Sequence, residues 1–450
     1  MNAVHEPRLF FVCPDTNVAS GGIMMIYRNV DHLVSAGIQA AVLHSQPGFR
    51  CTWFANTTPV EYTGSAAITS NDLIVIPEIY GRNAETISSG IPYAILNQNC
   101  HFTFLGWGWP NHDQNAPHAY SSGLLGVVAV SRQNHDYIAW AFPGTTIERI
   151  AYGIDTGDEP GPKKDLITFM PRKNSDQAEQ VLNILAVRGA LDGFQVCALD
   201  GMSHEDVIAN LRKSRVFLSF GYPEGNGLPV LEALVAECVV IGYDGYGGDE
   251  TLTPNTGFPV PYGDILEFAK TAESVITALR DNPGEYRSIT EAGRMLTRNE
   301  YSMTAERDSV VSAWKSIIAK HPGSINSSDT HYSNAPVISV VIPQDPGAAH
   351  TDRITAELLN LQRELSIRDQ SLQRLQSTYV ELQSTYVDDV NRLTTIADDA
   401  ISARKTEVAK MDSLLAESHQ VIESLQNSWT WKLTRPIRHA VNLFRPRNLS

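Results

Sequence analysis

The stretch Arg215–Gly248 reads RVFLSFGYPEGNGLPVLEALVAECVVIGYDGYGG and decides the fold class of the region around it. Its apolar run Val216–Phe220 predicts a buried strand, which delivers a glycine-rich loop. A helix is predicted from near Leu228, with Pro229 in its first turn, where a missing N–H costs nothing. The apolar run Val239–Gly242 then predicts a second strand. This order of strand, loop, helix and strand is typical of a parallel sheet that helices cover.

The same alternation extends over roughly the first 320 of the 450 residues and restarts once. The restart follows the Gly/Pro/charge-rich segment Asp155–Asp165, which predicts an interdomain linker. We therefore predict an α/β protein with two Rossmann-like domains, at residues 1–154 and 155–320, that face each other across a cleft. The predicted strands are Arg8–Cys13, Ile38–Leu43, Leu73–Ile76, Tyr93–Leu96, Gly126–Val130 and Ile147–Tyr152, then Leu166–Met170, Gln195–Leu199, Val216–Phe220 and Val239–Gly242.

The remaining chain has a different periodicity. A polar linker at residues 321–352 precedes residues 353–427, where apolar residues recur every three or four positions and LQSTYVE is followed at once by LQSTYVD. A sustained heptad pattern predicts a coiled coil that makes the protein a homo-oligomer, and the alternative is a single amphipathic helix on the globular domain. The tail at residues 428–450 is basic, lacks acidic residues and holds Trp429 and Trp431. It predicts peripheral contact with an anionic membrane, or else a solvated tail packed on the coil.

Composition excludes several classes of protein. A formal net charge of −15 argues against nucleic acid as a partner. The five cysteines are far apart and form no Cys-x-x-Cys, which favours a reducing compartment over a disulfide framework or a zinc site. The sequence shows neither a signal-peptide pattern nor a run of about 18 apolar residues. We expect a cytoplasmic protein, peripheral on the inner face of the cell membrane.

Two glutamates flank the glycine-rich loop of the opening stretch. Glu224 precedes the predicted helix and Glu232 lies in its second turn, so both can project toward one ligand. Gly225 and Gly227 let backbone N–H groups approach that ligand, and the helix dipole favours an anionic one. Carboxylates that accept from sugar hydroxyls suit a sugar nucleotide. The alternative is a glycine-rich turn followed by an ordinary surface glutamate.

The sequence around these two glutamates resembles a motif of a known family. Glu224-Gly-Asn-Gly-Leu-Pro-Val-Leu-Glu232 is similar to the E-x7-E motif of the retaining glycosyltransferases of the GT-B fold, the family-4-like group also called glycosyl transferases group 1. The resemblance covers roughly residues 8 to 320. Weaker motifs that resemble those of the family are Gly21-Gly22 before the first helix, Val130-Ser131, and Tyr152-Gly-Ile-Asp155 at the domain junction.

The resemblance implies roles for these residues in donor binding. Glu232 would bind the ribose hydroxyls of the donor, and Glu224 would hold a donor sugar hydroxyl near the reacting carbon. The backbone of Gly225, Asn226, Gly227 and Leu228 would approach the sugar and its phosphates, with Gly21 and Gly22 opposite. The family places an Arg and a Lys, usually five residues apart, on the diphosphate. Here Arg172 and Lys173 are adjacent, and because adjacent side chains diverge, we expect only one of the two to reach the phosphates. An exposed basic turn is the alternative.

A second group of candidates follows a strand of the first domain. Related enzymes often carry a polar residue or His facing the donor sugar here, and His101 is the candidate for a catalytic residue. A structural role in this aromatic-rich loop is equally open. Trp107 and Trp109 can stack on acceptor sugar rings or pack within the loop.

The resemblance implies an enzyme that moves a sugar from a nucleotide-diphosphate sugar to an acceptor. The predicted membrane contact of the tail favours a glycan or lipid-linked glycan acceptor in bacterial-type surface polysaccharide assembly. The resemblance further implies retention of anomeric configuration. The chain has no Asp-x-Asp triplet, the metal-binding signature of the other major glycosyltransferase fold, so we expect no metal and no cofactor. Two alternatives stay open: a nucleotide-sugar epimerase on the same scaffold, and a non-catalytic scaffold whose transferase domain is degenerate.

Overall fold

The computed structural model describes residues 7–18, 20–105, 107, 123–155, 161–322, 337–343 and 401–417. By their contacts the described residues fall into two compact units, one made of residues up to 343 and the other of residues 401–417. Both β-sheets lie in the first of these units.

The first sheet has seven parallel strands in the order β3-β2-β1-β4-β5-β6-β7. The strands are β1 (Leu9–Val12), β2 (Ala40–His44), β3 (Val60–Tyr62), β4 (Leu73–Pro77), β5 (Tyr93–Asn97), β6 (Leu124–Ala129) and β7 (Ile147–Arg149). Every residue of β1, β4 and β5 is buried, as expected where helices cover both faces of a parallel sheet.

The second sheet has five parallel strands in the order β12-β11-β10-β8-β9. They are β8 (Lys164–Phe169), β9 (Gln195–Ala198), β10 (Ser214–Ser219), β11 (Val239–Gly242) and β12 (Phe258–Pro259). The central strand β10 pairs with β8 and β11, so the loop that follows β10 emerges at the middle of the carboxyl edge.

Helices cover both sheets. They are α1 (Gly21–Ser35), α2 (Ala84–Ser88), α3 (Arg132–Ala141), α4 (Ser175–Val187), α5 (His204–Lys213), α6 (Leu228–Val235), α7 (Ile265–Asp281), α8 (Arg287–Glu300) and α9 (Met303–Ile318). Side-chain caps mark several starts, because Ser131, Ser203 and Ser302 each accept a hydrogen bond from a backbone N–H of the first turn.

The prediction of two parallel α/β domains is confirmed. All ten predicted strands are present, with bounds shifted by a few residues at most. The sequence missed β3 and β12, which lie at sheet edges and contain three and two residues. Such short segments carry too little apolar periodicity to be recognised.

The last helix of the predicted second domain packs on the first domain instead. The sequence places residues 155–320 in one domain, but α9 packs on the first sheet. Trp314 is fully buried there, with its ring edge-to-face against Phe11 at 5.0 Å and its Nε1 donating to Asn29 Oδ1 at 2.9 Å. An amphipathic helix has the same apolar periodicity whichever sheet it packs on, so the periodicity of α9 does not identify its domain.

A buried carboxylate ties α9 to the interdomain connection. Glu306 is fully buried and pairs with Arg28 of α1, while His32 lies 2.8 Å from its other oxygen. The same carboxylate accepts from the backbone N–H of Gly153, between the two sheets. A Cβ on Gly153 would lie 2.9 Å from Glu306 Oε2, so the contact requires glycine.

The predicted linker at 321–352 contains a segment that packs on the first domain. Val340 and Ile342 are buried in its core, and the Ile338 N–H donates to the Ile68 carbonyl at 2.7 Å. Within the predicted coiled coil, residues 401–417 are helical. Residues 353–400, 418–427 and the predicted membrane tail 428–450 lie outside the described residues, so pairing and membrane contact stay predictions. Within the described ranges, no helix has the length and apolarity needed to cross a membrane.

Candidate functional site

A cavity of about 140 Å³ lies between the carboxyl edges of the two sheets. Nine of the residues that the sequence proposes line it: Gly21, Gly22, Arg172, Lys173, Glu224, Gly225, Asn226, Gly227 and Leu228. The first domain also contributes Glu78, Gln98 and Tyr152. This is the position at which open parallel sheets bind ligands.

Local structure brings these residues to the cavity. Arg172 and Lys173 follow β8, and Asn174 at φ +51° turns the chain into α4. The Asn174 amide donates to the carbonyls of Phe220 and Tyr222 in the loop after β10, which fixes that loop beside Lys173. The left-handed backbone in that loop is Gly227 at φ +76°, the N-cap of α6.

Lys173 and Glu224 form an ion pair in the cavity. The Lys173 Nζ lies 2.9 Å from Glu224 Oε1 and donates to the Pro223 carbonyl at 2.5 Å. Burial lowers the pKa of Lys173, and the carboxylate of Glu224 opposes that shift. The resemblance implied a sugar contact for Glu224 and a phosphate contact for Lys173, and the structure joins the two residues directly.

Arg172 differs from its neighbour. Its side chain lines the cavity and makes no hydrogen bond or ion pair with any residue that the structure describes. It also lines a second, smaller cavity under the glycine loop, together with Gly221 and Asp244. A guanidinium in this position can pair with an incoming anion without first breaking a protein contact.

Gly225 lies close to the backbone of the first domain. A Cβ on Gly225 would lie 1.6 Å from the Gln98 carbonyl oxygen of the first domain. The sequence predicted that glycine here lets the backbone reach a ligand, whereas the structure shows the need for glycine in the contact between the domains. A Cβ on Gly227 would meet only Val230, at 3.9 Å.

Further contacts hold the domains together around the glycine loop. Asn226 is buried and its amide donates to the Val130 carbonyl at 2.9 Å. Arg132 pairs with Asp249 at 2.6 Å, and Arg149 makes two hydrogen bonds to Glu250 at 2.8 and 2.9 Å. The cleft is therefore in a closed arrangement at this end.

Glu232 occupies a different place from Glu224. It is absent from the lining of both cavities, and its Oε1 lies 2.9 Å from Nε2 of His204 at the start of α5. The pair of glutamates therefore does not converge on one cavity, although Leu228, one turn earlier on α6, lines it.

His101 lies in a group of aromatic rings instead of the cavity lining. Its ring stacks on Tyr246 with centroids 5.5 Å apart and meets Tyr222 edge-on at 5.8 Å. Burial, with a smaller effect of Lys173, lowers the pKa of His101. The ring therefore stands at an edge shared by both domains, and a catalytic role stays a prediction.

The two tryptophan candidates are not joined to the cavity. Trp107 is half-buried and meets Phe104 edge-on, with centroids 6.4 Å apart, and it does not line the cavity. Trp109 lies outside the described residues. Acceptor stacking by either residue stays a prediction.

Glu78 is a cavity residue that the sequence analysis missed. It directly follows β4, is 5% exposed, and accepts from the Gln98 N–H at 3.0 Å. Burial raises its pKa to about 7, against backbone hydrogen bonds that lower it. The sequence does contain a signal for Glu78, because an acidic residue directly after an all-apolar strand is expected at the ligand-binding edge of the sheet.

Comparisons with known proteins agree with this architecture. Residues 191–294 match the family model described as glycosyl transferases group 1. The chain is 33% identical over 197 residues to "Putative glycosyltransferase ORF330" of Acidianus filamentous virus 2, covering 40% of this chain and 55% of that protein. It is 23% identical over 279 residues to the alpha-1,6-glucosyltransferase of Actinobacillus pleuropneumoniae serotype 7, covering 58% and 81%.

A solved structure shows the same fold. The pneumococcal O-GlcNAc transferase GtfA, in complex with UDP and GlcNAc, aligns with a TM-score of 0.50 and 10% identity over 70% of this chain and 99% of that one. The chain spans only about half the length of the viral relative. The fold defines a two-domain α/β protein with an interdomain site. The family match adds, more narrowly, that residues 191–294 are similar to glycosyl transferases group 1.

Proposed function

We propose that this protein transfers a sugar from a nucleoside-diphosphate sugar to an acceptor hydroxyl. One observation carries the proposal: an arginine without a partner among the described residues, a lysine–glutamate pair and a glycine-rich helix start share one cavity between two Rossmann-like sheets. The group 1 match on residues 191–294, which include Glu224 and the start of α6, supports it. The UDP bound to GtfA makes UDP the first nucleotide to test.

The basic residues suit the leaving group. Breaking a glycosyl–phosphate bond places negative charge on the departing diphosphate. Arg172 is available at once, and Lys173, which contacts Glu224 and the Pro223 carbonyl, keeps a third N–H that can donate to a phosphate. The start of α6 adds the N–H of Leu228, for which the described residues supply no acceptor, and a favourable dipole. Preorganised donors of this kind lower the barrier of the reaction.

Glu224 suits the sugar. Its Oε1 is held by Lys173, and no described residue hydrogen-bonds its Oε2, which can accept from a donor hydroxyl. In this scheme Lys173 fixes the carboxylate, and the carboxylate fixes the sugar relative to the diphosphate. Correct placement of a reacting centre is itself a large part of catalysis.

Finer features of the proposal rest on the resemblance and on the sequence. They are retention of anomeric configuration, transfer without a metal or other cofactor, and a glycan or lipid-linked glycan acceptor in surface polysaccharide assembly. Homo-oligomerisation through residues 353–427 and contact of 428–450 with an anionic membrane complete it. The heptad duplication and the basic, tryptophan-containing tail support these last two features.

The test of the function is product analysis. The full chain is incubated with UDP-, GDP- and ADP-sugars, with a panel of glycan acceptors and with EDTA, and released nucleoside diphosphate is quantified. The proposal predicts release of one diphosphate and a new glycosidic bond whose anomeric configuration, read by NMR, matches that of the donor. Isomerisation of the donor sugar without release would instead indicate an epimerase.

The membrane contact has its own test. Vesicles of phosphatidylcholine with and without 30% phosphatidylserine are sedimented with the full chain and with a variant lacking 428–450. We expect sedimentation only of the full chain with the anionic vesicles, weakened by salt. Equal sedimentation of the shortened chain would contradict the proposal.

A further inference from the structure

His204 and Glu232 are joined across two helices of the second domain. His204 is the first residue of α5, and its Nε2 lies 2.9 Å from Glu232 Oε1 on α6. The histidine side chain is 67% exposed, whereas the glutamate is only 12% exposed. A solvent-facing ring thus holds a nearly buried carboxylate in one orientation.

The contact uses one side of the carboxylate. No described residue hydrogen-bonds Glu232 Oε2, so this oxygen keeps its capacity to accept. Glu232 lies four residues after Leu228, which lines the cavity, and that is about 6 Å along the axis of α6. A ligand that extends from the cavity along α6 therefore reaches Glu232.

Charged groups from three elements act on the ring of His204. The hydrogen bond to Glu232 raises its pKa most, and burial lowers it. Among the weaker charges, Glu205 on α5 raises the pKa and Arg28 on α1 lowers it. The net effect raises the pKa and favours the protonated ring, in which both nitrogens carry a proton and Nε2 donates to Glu232.

We propose that His204 is a positioning residue for the nucleoside part of the donor, because it fixes Glu232 so that the free oxygen accepts from a vicinal diol of the ribose. The inference rests on the proposed function. It places the sugar and diphosphate in the cavity and the nucleoside outside it, between α6 and the start of α5. His204 itself does not touch the reacting atoms.

The experiment compares ligands with and without the diol. Calorimetry first identifies which of UDP, GDP and ADP binds the full chain. Binding of that diphosphate and of its 2′,3′-dideoxy analogue is then measured for the wild type, His204→Ala, His204→Gln and the control His135→Ala. The control also removes an exposed histidine paired with a carboxylate, Asp136, but one outside both cavities.

We expect His204→Ala to bind the diol ligand about tenfold more weakly, since a charge-assisted hydrogen bond that orients the acceptor is lost. Its affinity for the dideoxy analogue should change less than about twofold. His204→Gln keeps a donor near the Nε2 position and should recover most of the affinity. His135→Ala should resemble the wild type with both ligands.

A pH series adds a second readout. The affinity of the wild type for the diol ligand should fall as pH rises through the raised pKa of His204, because the neutral ring donates from Nε2 in only one of two tautomers. His204→Gln should lack this component. Equal weakening of both ligands in His204→Ala, or no weakening, would overturn the inference while leaving the function intact. Failure of the wild type to bind any diphosphate would overturn the function and the inference together.

Discussion

The Lys173 Nζ lies 2.9 Å from Glu224 Oε1, inside the cavity that both domains line. A cation for the leaving group and a carboxylate for the sugar thus neutralise each other before any ligand arrives. Burial lowers the pKa of Lys173, and the carboxylate of Glu224 opposes that shift. Removing either partner should therefore disturb the other.

The first prediction concerns the carboxylate. Glu224→Gln should lower the rate of sugar transfer by about 100-fold, because the neutral amide holds neither Lys173 nor the sugar hydroxyl as strongly. The melting temperature should change little, since the side chain sits at a partly open cavity. The matched control is Glu273→Gln, a glutamate outside both cavities that is 28% exposed and paired with Arg188. Full transfer activity in Glu224→Gln would remove this residue from the site.

The second prediction concerns the unpaired arginine. Arg172→Ala should weaken nucleoside diphosphate binding by about tenfold or more, as expected for loss of a charge-assisted contact with phosphate. Arg188→Ala removes an exposed arginine of the same domain outside the cavity and should leave binding unchanged. Calorimetry at fixed salt measures both. Equal affinities for the two variants would contradict a phosphate contact by Arg172.

The third prediction concerns the domain contact at the glycine loop. Gly225→Ala places a methyl group 1.6 Å from the Gln98 carbonyl, so the domains must separate. We expect a larger radius of gyration by small-angle scattering and transfer slowed by more than about tenfold, since a misplaced site loses its geometry. Gly161→Ala is the control, because its Cβ would meet nothing within 4 Å. An unchanged scattering profile for Gly225→Ala would show that the contact is not essential to closure.

Much of the fold and half of the site are readable from the sequence. Buried strands such as Leu73–Pro77 are continuous apolar runs, and the position of Glu224 follows from the strand and helix around it. The sequence does not predict contacts between residues that are far apart along the chain. The contacts of Gly225 with Gln98 and of Glu232 with His204 depend on how elements pack, which no local pattern encodes.

The fourth prediction concerns Glu78. Its pKa is raised from 4.5 to about 7 in the folded protein, so the folded state binds this proton more tightly than the unfolded state. The contribution of Glu78 to stability must then fall as pH rises from about 4.5 to 7, by an amount on the order of 3 kcal/mol. Glu78→Gln lacks this ionisation. The melting temperature of Glu78→Gln minus that of the wild type should therefore increase as pH rises across that range. A difference that does not change with pH would contradict an ionisable, buried Glu78.

The fifth prediction concerns the packing of α9 on the first sheet. Trp314→Ala removes a fully buried indole and its hydrogen bond to Asn29, and should cost about 3–5 kcal/mol of unfolding free energy. Trp140→Ala is the control, because that side chain is 88% exposed and should change stability by less than about 0.5 kcal/mol. Urea denaturation measures both. Similar values for the two variants would contradict the position of α9.

Thermal unfolding with nucleoside diphosphates tests the central claim most directly. A ligand that binds only the folded state raises the melting temperature in proportion to the logarithm of its concentration once it exceeds the dissociation constant. We predict such a rise for the wild type with one of UDP, GDP or ADP, and a much smaller rise for Arg172→Ala at equal ligand concentration. An unchanged melting temperature of the wild type with all three at millimolar concentration would contradict a nucleoside-diphosphate site between the two domains.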